Sequence, residues 1–163
     1  MKNTIRVLVC ALILIPLFVG QSFAQVHWVV GGNMGLSIAT GGGLGSQAGF
    51  HFGPMGEAVF NKQYAVGSEF SINTQSGTPV EWANYFKAYF LIPGSKIKPY
   101  ADGGFGLYFL TGGPYFDIRF GGGANFPVAN KLYVPAEIQM GPVFITGFTQ
   151  FVIIFRSGIR YEI

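Results

Sequence analysis

From residue 26 onward the chain alternates large apolar side chains with small, polar or charged ones. Every acidic residue (Glu57, Glu69, Glu81, Asp102, Asp117, Glu137 and Glu162) falls in the polar phase. Successive side chains of a strand point to opposite faces, so a period of two sustained along most of a chain predicts two-faced strands rather than helices. The stretch "GFHFGPMGEAVFNKQYAVGSEF" carries the pattern across a turn. Phe50, Phe52 and Phe60, then Tyr64, Val66 and Phe70, oppose His51, Glu57 and Glu69. The basic residues outside the turns, Lys87, Lys98, Arg119, Arg156 and Arg160, keep to the same phase as the acids.

Eight strands are predicted: Val26 to Ala39, Gln47 to Asn61, Gln63 to Asn73, Val80 to Ile92, Ile97 to Leu110, Tyr115 to Val128, Lys131 to Val143 and Thr149 to Ile163. The segments between them, "TGGGLGS", "NK", "TQSGTP", "PGSK", "TGGP", "AN" and "ITGF", have turn composition. Each strand reaches the roughly 9 to 11 residues with which a tilted strand crosses a bilayer. Pro54 and Pro142 fall inside strands and remove ladder donors, so bulges or local breaks are expected there.

Alternation does not say which face is inside, because a soluble barrel has the same period with its apolar residues inward. Side-chain size decides. The polar phase is crowded with glycine (Gly31, Gly35, Gly49, Gly53, Gly67, Gly104, Gly106, Gly121 and Gly123), which suits the confined interior of a small barrel. The apolar phase is broad and aromatic, a surface that soluble monomers avoid. Only 10% of the chain is charged, against about 25% in soluble domains. The fold class is therefore all-β, an eight-stranded antiparallel up-and-down transmembrane β-barrel with a hydrocarbon-facing wall and a polar lumen. Trp28, Phe60, Tyr64, Trp82, Phe90, Phe116 and Tyr161, near strand ends in the outward phase, are expected to form the two interfacial girdles. Phe120→Arg would turn a charge toward lipid, whereas Gly121→Ser is expected to add only a small hydroxyl to the lumen.

Residues 1–24 read as an export signal, with Lys2 and Arg6, the apolar run "VLVCALILIPLFV" and Ser22 and Ala24 before a cut. The apolar run is too short to span a bilayer as a helix. Cleavage after Ala24 leaves residues 25–163 as one barrel domain, without linker or second domain. The only cysteine, Cys10, leaves with the signal, so disulfides and cysteine-ligated metals are excluded. Losing Lys2 and Arg6 also takes the formal charge from +3 to +1, which removes the electrostatic case for nucleic-acid binding.

The segments "GFHFGPMGEAVFNKQYAVGSEF", "YFKAYFLIPGSKIKPYADGGFGLYFL" and "FGGGANFPVANKLYVPAEIQMG", with the closing "SGIRYEI", resemble the small OmpA/OmpX-like, porin-family outer-membrane β-barrel proteins of bacteria. The resemblance implies an eight-stranded barrel in the outer membrane of a Gram-negative-type bacterium, with both termini in the periplasm. Such barrels have no shared catalytic site, so no functional residue is carried over. Many end in an aromatic residue; this chain ends in Ile163, with Tyr161 two residues before. The turns "NK", "PGSK" and "AN" are shorter than the intervening set, which is expected to place them on the periplasmic side.

Enzyme chemistry finds little footing. His27 and His51 begin neighbouring strands at opposite ends, so they do not converge with a carboxylate into a metal site or general base, and each reads as a hydrogen-bonded lumen residue. "GGGLG" at Gly41 to Gly45 is followed by no helix that could help hold a phosphate. The inward charges Glu57, Glu69, Glu81, Lys87, Lys98, Asp102, Asp117, Arg119, Glu137, Arg156, Arg160 and Glu162 are instead expected to pair as a network that fills the lumen. The sequence thus favours a non-catalytic barrel with a structural or surface-interaction role, and leaves a narrow channel for ions or small solutes as the alternative. No cofactor is expected. Outer-membrane lipids, periplasmic chaperones and the barrel-insertion machinery are the expected partners of a monomeric chain.

Overall fold

The computed structural model describes residues 26–42, 45–110 and 112–163; the expected export signal and cleavage site lie outside the described residues. Eight strands follow one another: β1 (Val26–Thr40), β2 (Gln47–Phe60), β3 (Tyr64–Asn73), β4 (Val80–Tyr89), β5 (Lys98–Leu110), β6 (Gly113–Ala129), β7 (Leu132–Ile145) and β8 (Phe148–Glu162). Each pairs antiparallel with its sequence neighbours, and β1 pairs with β8 from Val29↔Glu162 to Thr40↔Phe151, closing the sheet into a barrel. Closure leaves no edge of unpaired backbone groups. Val26 and Ile163 lie at one end, called here the terminal end, where the Ile163 amide donates to the Trp28 carbonyl at 2.8 Å.

The two phases separate as their chemistry requires. On the outside Met34 is 67% exposed, Phe50 63% and Phe105 57%, whereas the inward Glu57, Lys87 and Arg160 are at most 2% exposed. Stacked rings run along the outer wall, with Phe116 between Phe105 and Phe144 at centroid distances of 6.3 and 6.2 Å.

Turn chemistry sets several strand ends. Asn61 and Lys62 both take positive φ (51° and 59°), and the Gln63 amide bonds the Phe60 carbonyl at 3.1 Å. That is a type I′ turn, whose twist matches the flanking strands. The segments "TGGP" and "ITGF" are tighter than the loops expected of them, because Leu110 pairs with Gly113 and Ile145 with Phe148. Gly147, at φ 89°, supplies the left-handed residue that the second turn needs. In contrast, β4 ends at Tyr89 rather than Ile92, so residues 90–97 form the longest connection, and it lies at the terminal end. The expected contrast between short and long turns at the two ends is therefore absent.

The prolines interrupt pairing without moving it. The β2–β3 ladder skips Gly53 and Pro54 yet keeps its register from Phe52↔Ile72 to Met55↔Glu69. The β6–β7 ladder likewise skips Gly141 and Pro142. No bulge forms at either; the one register shift lies between Pro127 and Ala129, beside the β6–β7 turn. A proline lacks one donor, so a strand held by its other neighbour loses a local bond and nothing more.

The inward glycines have a steric reason. A Cβ on Gly35 would overlap the Phe155 carbonyl oxygen and lie 2.6 Å from the Arg156 Cα. One on Gly121 would overlap the Ile138 carbonyl oxygen and lie 2.9 Å from the Gln139 Cα. The outward Gly103 has room, its nearest neighbour being the Arg119 carbonyl oxygen at 3.7 Å. The backbone of the adjacent strand occupies the space on the inner side, so the expectation that Gly121→Ser adds only a hydroxyl to the lumen is corrected: the Cβ itself does not fit.

Gly35→Ala and Gly121→Ser should each cost about 1–3 kcal/mol through overpacking, while Gly103→Ala should stay within about 0.5 kcal/mol of the parent. Phe120→Arg, on the outer wall, should cost about 2–4 kcal/mol if the residue faces the bilayer midplane. Urea unfolding from lipid vesicles would measure all four; tolerance of Gly121→Ser equal to that of Gly103→Ala would contradict this packing.

Candidate functional site

The lumen is the candidate site, and its polar residues form three tiers. Nearest the terminal end, Glu57 of β2 accepts from Lys87 Nζ at 2.7 Å, from the Tyr89 hydroxyl at 2.6 Å and from the Tyr85 hydroxyl at 3.3 Å. Lys87 sits among three tyrosine rings, 4.9 Å from the centroid of Tyr85, 5.9 Å from Tyr89 and 4.5 Å from Tyr100. Cation–π attraction and one carboxylate together compensate an ammonium that is 1% exposed. Arg160 of β8 donates to Glu137 at 2.6 Å, to Asn125 at 2.7 Å and to the Tyr100 hydroxyl at 3.2 Å.

The middle tier crosses the barrel. Arg156 of β8 bridges Glu137 on the adjacent β7 at 2.6 Å and Glu69 on β3 at 2.5 Å, and so ties distant walls together. Glu69 also lies 2.8 Å from His51 Nε2 and accepts from Asn33 Nδ2 at 3.1 Å; His51 Nδ1 lies 3.2 Å from Asn73 Oδ1. The imidazole is thus held at both nitrogens.

Toward the far end, Arg119 is paired with Glu81 and, at 3.0 Å, with Asp117. Asp102, whose backbone pairs with Lys87 at the terminal side, accepts from Gln139 at 3.3 Å. Above this tier the lumen turns apolar, with Ala39, Tyr108, Val143, Val152 and Ile154 packed together. Gln75, from the β3–β4 connection, folds over them and donates to the Ser37 carbonyl at 3.0 Å, while the Tyr108 hydroxyl donates back to it at 3.4 Å. At the terminal mouth, His27 Nδ1 stands 3.6 Å from Glu162, Lys98 donates to the Tyr133 hydroxyl at 3.2 Å, and that hydroxyl reaches Glu162 at 3.5 Å. A void of about 30 Å³ lies there, room for one or two waters.

Most of these buried charges meet an opposite charge or several hydrogen bonds, which offsets their desolvation; Asp102 accepts from Gln139 alone among the described residues. Compensation is uneven. Glu81 Oε1, Asp102 Oδ2, Asp117 Oδ1, Arg156 Nε and Arg160 Nε are buried without a protein partner. Among the described residues no group of histidines and carboxylates is gathered for a metal.

The sequence-predicted residues separate by position. Lys98 and Glu162 line the mouth, and the other ten predicted network residues are buried in the tiers. His27 and His51 stay apart, each beside its own glutamate. Of the aromatic set, Trp28, Phe60, Tyr64, Phe90 and Tyr161 lie toward the terminal end, and Trp82 and Phe116 toward the far end. Sequence reasoning gave no role to Tyr85, Tyr89 and Tyr100. The signal was present: all three are large aromatics in the otherwise polar phase, where a ring has to serve a polar neighbour.

The crossing pair supplies a stability test. Arg156→Met removes the shared cation from Glu69, which keeps His51 and Asn33, and from Glu137, which keeps Arg160 and Tyr100, so it should cost up to about 3–5 kcal/mol. Adding Glu69→Gln should recover part of that loss, with a coupling of roughly 0.5–3 kcal/mol in the double-mutant cycle. Unfolding midpoints in urea would measure it, and strictly additive losses would show that the two side chains do not interact.

No family model matches the chain, and no curated protein does. Solved structures do. The barrel superimposes on Neisserial surface protein A (NspA) with a TM-score of 0.70 and 14% identity, covering 85% of this chain and 99% of that one. It superimposes on the N-terminal β-barrel domain of Pseudomonas aeruginosa OprF with a TM-score of 0.59 and 11% identity, covering 85% and 100%. A de novo designed transmembrane β-barrel gives 0.50 and 15%, covering 85% and 93%. That a designed sequence is as identical to this chain as the natural ones are marks the likeness as one of backbone architecture. The chain has the fold of the bacterial eight-stranded outer-membrane β-barrels.

Proposed function

We propose that this chain is a small integral protein of the bacterial outer membrane, exported and cleaved after Ala24, in which the lumen serves as a structural core. Its role is structural or interactive, without catalysis, and its contacts are made at the rims and the outer wall. The carrying observation is the Glu69–Arg156–Glu137–Arg160 chain of contacts, which runs across the barrel and fills it. The apolar cluster beneath Gln75 supports the same reading, because ions would have to cross it dehydrated. A non-enzymatic role is supported by His51, whose two ring nitrogens are engaged by Glu69 and Asn73. The partners that fit are outer-membrane lipids and, during assembly, periplasmic chaperones and the barrel-insertion machinery.

One observation favours a narrow channel instead. Glu81 Oε1, Asp102 Oδ2 and Asp117 Oδ1 are carboxylate oxygens without protein partners, and a file of water would satisfy them.

Purified protein in a planar bilayer decides between the two. A filled lumen gives a silent membrane, and steady single-channel currents would establish the pore. Orientation is tested by an epitope inserted after Ser76, in the β3–β4 connection at the far end. Labelling on intact cells is expected, and labelling only after permeabilisation would invert the topology.

A further inference from the structure

The outer wall is apolar along all eight strands apart from a few hydroxyls and one carboxamide near its middle. Asn84 lies in the outward phase of β4, between Trp82 and Phe86, at the fifth position of a ten-residue strand. Toward β3 and β2 its neighbours at the same level are small, since Ser68 pairs with it and Gly56 pairs with Ser68, with Ala58 and Gly103 flanking the row; on β5 it pairs with the large Phe105. Together they floor a groove of about 590 Å³ on the outer surface, rimmed by Trp28, Phe86 and Phe105.

Other outward hydroxyls along the wall are satisfied within the barrel. Ser68 accepts from Trp82 Nε1 at 2.9 Å and donates to the Ala83 carbonyl at 3.3 Å, and Ser157 donates to the Pro135 carbonyl at 2.7 Å. The Asn84 carboxamide has no hydrogen-bond partner among the described residues. Half-way along a strand that crosses an apolar band of about 25 Å, it stands about 12 Å from either headgroup layer. Neither water nor a headgroup is at hand there, and an unpaired amide in hydrocarbon is costly.

An acyl chain would fill the groove but offers neither donor nor acceptor. A second copy offers both. A carboxamide carries an acceptor oxygen and two N–H donors, so two of them facing each other across a two-fold axis exchange reciprocal hydrogen bonds. Small residues around the axis let two walls approach closely, as they do between membrane helices, while the rim rings of each copy project beside the groove of the other. We propose that this groove is the contact face of a symmetric homodimer within the membrane, centred on an Asn84–Asn84 hydrogen-bonded pair. This assembly departs from the monomer expected from the sequence.

The chain beyond residue 24 has no cysteine, so a single reporter is easily placed. Gly103→Cys, beside the groove where a Cβ has room, should cross-link as a dimer on oxidation in lipid vesicles, and Ile138→Cys on β7 should not. Adding Asn84→Leu to the Gly103→Cys protein should weaken dimerisation roughly 5- to 30-fold, the change expected when the reciprocal pair of intramembrane hydrogen bonds is lost. The same substitution should leave the unfolding midpoint of the diluted monomer equal or higher, since it puts an apolar side chain against lipid. Sedimentation of the cysteine-free protein in detergent gives an independent reading of mass. Three results would overturn the proposal: a monomer at every protein-to-lipid ratio, which would assign the groove to lipid; equal cross-linking at residues 103 and 138; or dimerisation unchanged by Asn84→Leu.

Discussion

The constraint on which this structure rests is that a backbone amide or carbonyl has no water to bond in hydrocarbon. Every N–H and C=O along a spanning strand then needs a partner in the next strand, and the last strand needs the first. The β1–β8 ladder, from Val29↔Glu162 to Thr40↔Phe151, meets that requirement. The prolines show how little slack it leaves. Pro54 and Pro142 are tolerated because on its other side each sits in an unbroken stretch of ladder, and the one register shift is placed at the end of β6.

Closing eight strands fixes a narrow interior, and that explains why the core is charged rather than empty. The tube is just wide enough for side chains, so whatever points inward is packed and desolvated. Apolar residues are required outside, leaving polar ones inside to satisfy one another. Arg156 is suited to this, because a long planar guanidinium reaches Glu137 on the neighbouring strand and Glu69 across the tube at once. The inward glycines belong to the same geometry. Where strand backbones crowd each other on the inner side, as Gly35 does against Phe155 and Arg156, even a methyl group is excluded.

Alternation made the fold legible, because a side-chain period of two survives every other variation in the sequence. The inward phase of Glu57, Arg119 and Arg160 could be read from parity alone, since charge and phase agree at each. Who pairs with whom across the lumen could not. The Glu69–Arg156 contact joins residues 87 apart on strands that are not hydrogen-bonded to each other, and it depends on the barrel's curvature. The steric exclusion at Gly121 was hidden for the same reason: it comes from the Ile138 carbonyl of the next strand, not from anything on β6. Strand ends were blurred where turn residues join the ladder, as in "TGGP" and "ITGF". Asn84 escaped notice because face assignment weighs the majority of a phase, and one amide among Trp82, Phe86 and Phe90 does not alter the majority.

That exception bears on where function can reside in a barrel of this size. Two surfaces could recognise something else, the lumen and the wall. The lumen's donors and acceptors are largely spent on one another, and its mouth at the terminal end has room for little more than water. The wall meets a solvent with no hydrogen-bonding capacity, so an apolar wall residue gains nothing from a specific neighbour and a polar one gains a great deal. A side chain that lowers the stability of the isolated barrel in lipid is therefore informative in a way that an exposed phenylalanine is not. At Asn84 the groove, the small flanking residues and the unpaired amide coincide on one patch, and a contact made there would recover the free energy that the lone barrel gives up.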